Sequence, residues 1–260
     1  ASSSPPSGAN RSGGGGPSGA MVLSTTTSTQ DSGLLDVLVP AYEKSSRCVV
    51  KTVAVGSGEA LTMGEKGDAD VLLVHSPDAE RAYMAAGHGR SRQAVMHNDF
   101  VVVGPPSDQA HVRGSRTAAQ ALARIARAKL GFASRADDSG TNAKELALWA
   151  EAGIEPHGSW YLQTGQGMGA TLTIASQKQA YTLTDRGTFL ATKGLESTID
   201  FEGSADLRNN YHVIVVKHSG TNTACAKDFA RWLLEPSTQR TIGTFGVRKY
   251  GQQLFVPDAS

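Results

Sequence analysis

The chain has 260 residues, with 25 Lys and Arg against 24 Asp and Glu and a net charge of +1. That balance argues against a nucleic-acid binder, which needs a basic excess to neutralise phosphates. Hydrophobic residues make up 39% and no apolar run reaches membrane-spanning length, while Cys48 and Cys225 are too few for a disulfide framework and have no neighbours at zinc-ligand spacing. What remains is a glycine-rich globular chain, long enough for one large domain or two lobes.

Residues 1–21 stand apart. The stretch ASSSPPSGANRSGGGGPSGA has almost no apolar side chains and cannot offset its ordering entropy, so a disordered tether is expected. It has no hydrophobic core of a signal peptide. It fits either a mature exported protein or an expression scar.

From Met21 onward, short apolar runs alternate with helical patterns. Met21–Ser24 reads as a strand, followed by a helix through Leu34, Leu35, Leu38 and Tyr42 that Pro40 interrupts. Cys48–Val55 reads as a strand, Gly58–Gly64 as a short helix and Ala69–His75 as a strand. Phe100–Val103 is an apolar run stopped by Gly104-Pro105-Pro106, which marks a seam. The rhythm restarts with a helix over Ser115–Lys129, capped by Ser115 or Thr117, and a strand over Leu130–Ser134. Helices follow over Asn142–Glu151 and Gly165–Lys178, then strands over Tyr181–Thr184 and Tyr211–Val216, then helices over Ala224–Leu234 and Ser237–Phe245. This predicts an α/β fold of mainly parallel sheets flanked by helices.

Four strand-to-helix junctions are rich in Gly, Ser and Thr: residues 24–29, 55–58, 134–141 and 164–171. A helix leaves its first N–H groups unpaired and carries partial positive charge there, which suits an anion. In open α/β sheets, ligands bind beyond the carboxyl ends of strands, where all four junctions lie. Each taken singly is more often only a cap or a tight turn. Arg135 adds a cation beside one junction, with pairing to Asp137 or Asp138 as the alternative.

Enzyme signatures are missing. Gly56-Ser57-Gly58 follows a valine and is not a nucleophile elbow, and Gly165-Gln166-Gly167-Met168-Gly169 misses dinucleotide-binding spacing. No two histidines stand at i, i+4; His75, ending a strand, is the one to watch, with packing its more frequent role. Asp70, Asp99 and Asp185 have no visible general-acid partner.

Several segments resemble the tungstate-binding proteins of ABC transporters: STTTSTQDSGLLDVLVPAYEK, AVGSGEALTMGEKGDADVLLVHSP, NDFVVVGP, SRADDSGTNAKELALW, WYLQTGQGMGATL and AYTLTDRGTFLA. The resemblance runs from about Val22 to the C-terminus, and Thr25-Thr26-Thr27-Ser28 is its most specific motif. It implies a two-lobe class II periplasmic-binding-protein fold, with lobe 1 at 22–103 plus 201–260 and lobe 2 at 104–200. It further implies capture of a tetrahedral oxyanion, tungstate or else molybdate, in the cleft, and delivery to a membrane permease from an extracytoplasmic location. No cofactor, direct metal ligand, nucleic acid or catalysis is implied, and a monomer is expected. The ligand set it implies is Thr26, Thr27, Ser28, Ser57, Arg135, Ser139 and Thr141, with Thr164 and Gly165 either at the anion or supporting it. A sulfate or phosphate binder, or a hydrolase using the same cleft, are the alternatives. For the cysteines, a disulfide fits an oxidising compartment. Nothing in the sequence brings them together, so two free buried thiols are expected.

Overall fold

The computed structural model describes residues 15–259; the expected tether over 1–14 lies outside them. The chain begins with β1 (Ser18–Thr26), α1 (Thr27–Asp31), α2 (Leu34–Ser45), β2 (Arg47–Val55), α3 (Ser57–Lys66), β3 (Val71–Val74), α4 (Pro77–Ala85) and the long β4 (Gly89–Gly104). It continues through α5 (Ala118–Ala128), β5 (Phe132–Ser134), α6 (Gly140–Glu151), β6 (Tyr161–Gln163), α7 (Met168–Gln177), β7 (Tyr181–Asp185), α8 (Arg186–Ala191) and β8 (Thr198–Phe201). It returns through β9 (Arg208–Val216), α9 (Thr223–Leu233), α10 (Pro236–Thr244), α11 (Val247–Tyr250) and β10 (Val256–Pro257).

The strands run in the order β2-β1-β3-β9-β4-β7-β5-β6, with β8 and β10 added along β4. Strands β1, β2 and β3 are mutually parallel, as are β5, β6 and β7. The central pairs β3–β9, β9–β4 and β4–β7 are antiparallel. The parallel pattern read from the sequence therefore holds on the two flanks and gives way at the centre. Strand β4 belongs to both halves: Gly89–Asp99 pair with β9, while Phe100–Val103 pair with β7. The change of pairing partner falls between Asp99 and Phe100, inside a continuous strand and ahead of Gly104-Pro105-Pro106. Arg186 fastens this crossing, with Nε and Nη2 on the Asp99 carboxylate at 2.9 and 2.6 Å and Nη2 on Glu202 at 2.7 Å.

Alternation along the strands builds the layers. On β3 and β9, Val71, Leu73, Val213 and Val215 face the core under α2 and α9, while Leu72, Val74, Ile214 and Val216 face α3 and α4. Beyond the seam, Phe100 and Val102 pack with α5 and α6, whereas Val101 and Val103 pack against Met168 and Leu172 of α7. Thr117 rather than Ser115 caps α5, accepting the Gln120 N–H at 3.1 Å. The N-terminal half of β4 escaped the sequence reading because GRSRQAVMHND is mostly polar and half-exposed.

Two expectations are corrected here. Ser18–Ala20, assigned by composition to the tether, pair in register with Arg47–Val49. The backbone ladder supplies what those side chains lack. The cysteines are not free thiols: Cys48 and Cys225 form a disulfide with Cα atoms 5.9 Å apart. The register sets Cys48 opposite Gly19, and α9 crosses the same strand, with Cys225 Sγ 3.7 Å from the Gly19 carbonyl. The bridge joins residues 177 positions apart. Closing so long a loop restricts the unfolded chain. Replacing both cysteines by serine is expected to lower the unfolding free energy by about 2–5 kcal/mol. Urea unfolding checks this, and an unchanged midpoint contradicts it.

Candidate functional site

A cavity of about 340 Å³ opens between the two halves, where strand ends meet helix starts. From one side come Thr26, Thr27 and Ser28 at the β1–α1 junction, and Val55, Gly56 and Ser57 at the β2–α3 junction. From the other come Arg135, Ser139, Gly140 and Thr141 ahead of α6, Gly167, Met168 and Gly169 ahead of α7, and Asp185, Gly187 and Thr188 ahead of α8. Thr26, Thr27, Ser28, Ser57, Arg135, Ser139 and Thr141, separate in sequence, therefore share one space. Thr164 and Gly165 do not line it. The Thr164 hydroxyl donates to the Ser134 carbonyl at 3.1 Å and lies 2.8 Å from the Thr171 hydroxyl. Gly165 takes the left-handed turn at φ +61° that an L side chain rarely adopts. These two residues shape the turn, and α7 begins only at Met168.

The site is rich in donors that lack acceptors. Gly56 and Gly167 precede α3 and α7 with no side-chain cap. The Thr26, Ser139 and Asp185 side chains cap α1, α6 and α8, but they take the N–H of Thr29, Asn142 and Thr188. Among the described residues, no protein acceptor takes the N–H of Ser28, Ser57, Gly140, Thr141, Met168 or Gly169. Side-chain charge does not explain an anion site, because Arg135 is outnumbered on the wall by Asp31 and Asp185. The helices decide the sign. Each of α3, α6 and α7, at 10, 12 and 10 residues, presents roughly half a positive charge at this end.

Arg135 keeps the partner anticipated for it. Its Nε and Nη2 donate to Asp137 at 3.0 and 2.6 Å, and both side chains are largely covered. Burial opposes ionisation of Asp137. The Ser139 hydrogen bonds and the Arg135 guanidinium outweigh it and hold the carboxyl below its ordinary range. Its Nη1 makes no protein hydrogen bond among the described residues.

Buried groups hold these edges in place. The Thr25 hydroxyl donates to the Leu73 carbonyl at 2.7 Å and locks β1 to β3. Glu145, fully covered on α6, accepts from Ser134 at 2.6 Å, Tyr161 at 2.6 Å, Trp149 Nε1 at 2.8 Å and Asn142 Nδ2 at 3.3 Å. It pins the end of β5 and the first turn of α6, which frame Arg135 and Ser139. His75 is buried, its Nε2 2.9 Å from Thr26 Oγ1 and 3.4 Å from Ser28 Oγ, and its Nδ1 3.0 Å from Asn209 Oδ1. Its ring packs on Tyr211 at 4.6 Å between centroids. Burial lowers its pKa below the ordinary histidine value, against smaller raising effects of Asn209 and Glu80.

Sequence reasoning missed the α8 junction and the apolar wall of Ala191, Tyr250, Leu254 and Phe255. The Asp185-x-x-Thr188 capping pattern after a strand was a usable signal for the first. The wall reaches the cavity from the C-terminal segment and has no local signature. Glu145→Gln puts an N–H₂ among four donors. It is expected to cost about 1–3 kcal/mol of stability. Thermal unfolding reads this, and an unaltered melting temperature contradicts it.

The chain matches the PBP superfamily domain over residues 4–237. The tungstate-binding protein TupA of Peptoclostridium acidaminophilum is 48% identical over 241 residues, spanning 90% of this chain and 84% of that protein. TupA of Campylobacter jejuni subsp. jejuni is 43% identical over 241 residues, spanning 89% and 88%. The structure of the tungstate-binding protein TupA from Desulfovibrio alaskensis G20 superposes with a TM-score of 0.84 at 42% identity, covering 93% of this chain and 99% of that one. With its strand ends meeting at a cleft of helix N-termini, the chain belongs to the PBP superfamily and, within it, to the TupA family of tungstate-binding proteins.

Proposed function

We propose that this protein captures tungstate outside the cytoplasm and hands it to the membrane permease of an ABC importer. The observation that carries the reading is the convergence of unpaired amide donors from α1, α3, α6 and α7 on one cavity. A tetrahedral dianion has acceptors on every side and nothing to donate, which complements a wall of N–H and O–H groups. The tungsten travels as its oxyanion. Among the described residues, no group of three His, Cys, Asp or Glu side chains is arranged to hold a bare metal ion.

In this reading, the halves on either side of the Asp99/Phe100 seam act as lobes. One is formed by residues up to about 99 and from about 208 onward, and the other by about 100–201. Thr27, Ser28 and Ser57 meet the anion from the first lobe, with Thr26 on the same wall, and Arg135, Ser139 and Thr141 meet it from the second. Closure about β4 and the segment between β8 and β9 brings the two donor sets onto one anion and expels water. In a dry cleft each charge-assisted bond gains strength. Opening releases the anion unchanged.

One observation favours catalysis instead: His75 lies within reach of the Ser28 hydroxyl and is oriented by Asn209. Its Nε2 is nearer to Thr26, however, and the Thr26 oxygen is already engaged in capping α1. We therefore read His75 as a group that orients hydroxyls.

Calorimetry of the anion-stripped protein with tungstate, sulfate and phosphate is expected to give one site that strongly prefers tungstate. Equal weak binding of all three contradicts the reading. Arg135→Ala removes a charge-assisted donor and is expected to weaken tungstate binding about tenfold or more. Unchanged affinity places Arg135 with Asp137 alone.

A further inference from the structure

The contacts of His75 settle the direction of a hydroxyl in the site. Asn209 Nδ2 donates to Asn98 Oδ1 at 2.8 Å, so Asn209 presents its oxygen to His75 Nδ1 at 3.0 Å. Nδ1 therefore carries the proton, and Nε2 of the neutral ring offers only a lone pair. Thr26 Oγ1, 2.9 Å from Nε2, must be the donor of that bond. The oxygen is then filled from the other side by the Thr29 N–H at 3.2 Å and the Thr29 hydroxyl at 2.6 Å. The Thr26 side chain lines the cavity with no proton left for an anion.

We propose that His75 sets the polarity of Thr26 in the anion site. With the ring neutral, Thr26 gives its proton to Nε2 and withdraws from the anion. With the ring protonated, Nε2–H donates to Thr26 Oγ1 in place of the Thr29 hydroxyl, which gives up its bond to that oxygen, and the Thr26 hydroxyl proton turns into the cavity. The proposal rests on the tungstate reading and makes His75 a positioning residue that acts through Thr26.

The surroundings of the ring agree. Around it lie Thr26 and Ser28 at the start of α1, Asn209 and the Tyr211 ring on β9, and Gly140 at the start of α6, whose added Cβ would sit 3.4 Å from His75 Cε1. The nearby charge is Glu80 on α4, and its Oε1 is occupied by Arg92 and His212, each at 2.9 Å. Asp78, Lys144 and Arg208 line an adjoining cavity together with His75. Burial favours the neutral ring, and a bound dianion favours the protonated one. Proton uptake is therefore linked to anion capture, and affinity rises as pH falls.

The test has two arms on the intact protein. ¹⁵N NMR of the imidazole in the anion-free protein is expected to show His75 neutral at neutral pH with its proton on Nδ1. A proton on Nε2 overturns the proposal whether or not tungstate binds. Calorimetry with micromolar tungstate is expected to show about tenfold tightening of the wild type between about pH 7.5 and about 5.5. His75→Gln, which keeps a polar atom near Thr26 but cannot titrate, is expected to bind with a flat profile. Parallel profiles overturn the proposal and leave the tungstate reading standing. Absence of tungstate binding at every pH overturns that reading, and the ring tautomer still judges His75. Where the glutamine variant fails to fold, the ring titration decides: His75 must gain its proton when tungstate is added near pH 6, and a ring unmoved by tungstate overturns the proposal.

Discussion

An amide N–H that faces a cavity without an acceptor is an unmet demand, and the architecture is arranged to keep several of them unmet at one place. Chain direction makes this possible. Parallel strands on each flank end at the same edge, so the helices that follow start there with their N–H groups pointing outward. A glycine ahead of α3 and of α7 withholds the side-chain cap that would otherwise fill the need. The net charge of +1 is no obstacle, because the attraction comes from oriented backbone dipoles and one paired arginine.

Holding such a site open requires rigid edges. Glu145 on one side and the Thr25–Leu73 bond on the other fix the strand ends from beneath. The Cys48–Cys225 bridge ties the edge strand to α9, far from the cleft. Arg186 joins Asp99 to Glu202, the two stretches of chain that pass between the halves. Buried polar groups with satisfied partners are costly to rearrange, so they keep the donors in register.

Much of this was legible in the residues. Apolar runs located β1, β2, β3, β5, β7 and the buried half of β9, because each carries its own core contacts. Hydroxyl and glycine clusters located the junctions, because capping and anion binding draw on the same local chemistry. Features set by distant chain were not legible. The polar half of β4 is a strand because β9 lies beside it. The disulfide exists because α9 crosses Gly19. Thr164 and Gly165 looked like the start of a helix, but they are used up in turning the chain, so the open amides come from Met168 and Gly169. Arg135 carried two readings, and its bond to Asp137 realises one of them without moving the side chain off the cavity wall.

The central claim is that backbone amides of both halves grip a single oxyanion. Amide NMR during titration with tungstate tests it most directly. The account predicts that the N–H signals of Ser28, Ser57, Gly140, Thr141, Met168 and Gly169 move downfield together and saturate at one equivalent. Shifts confined to one half, or scattered over surface lysines and arginines, would contradict it.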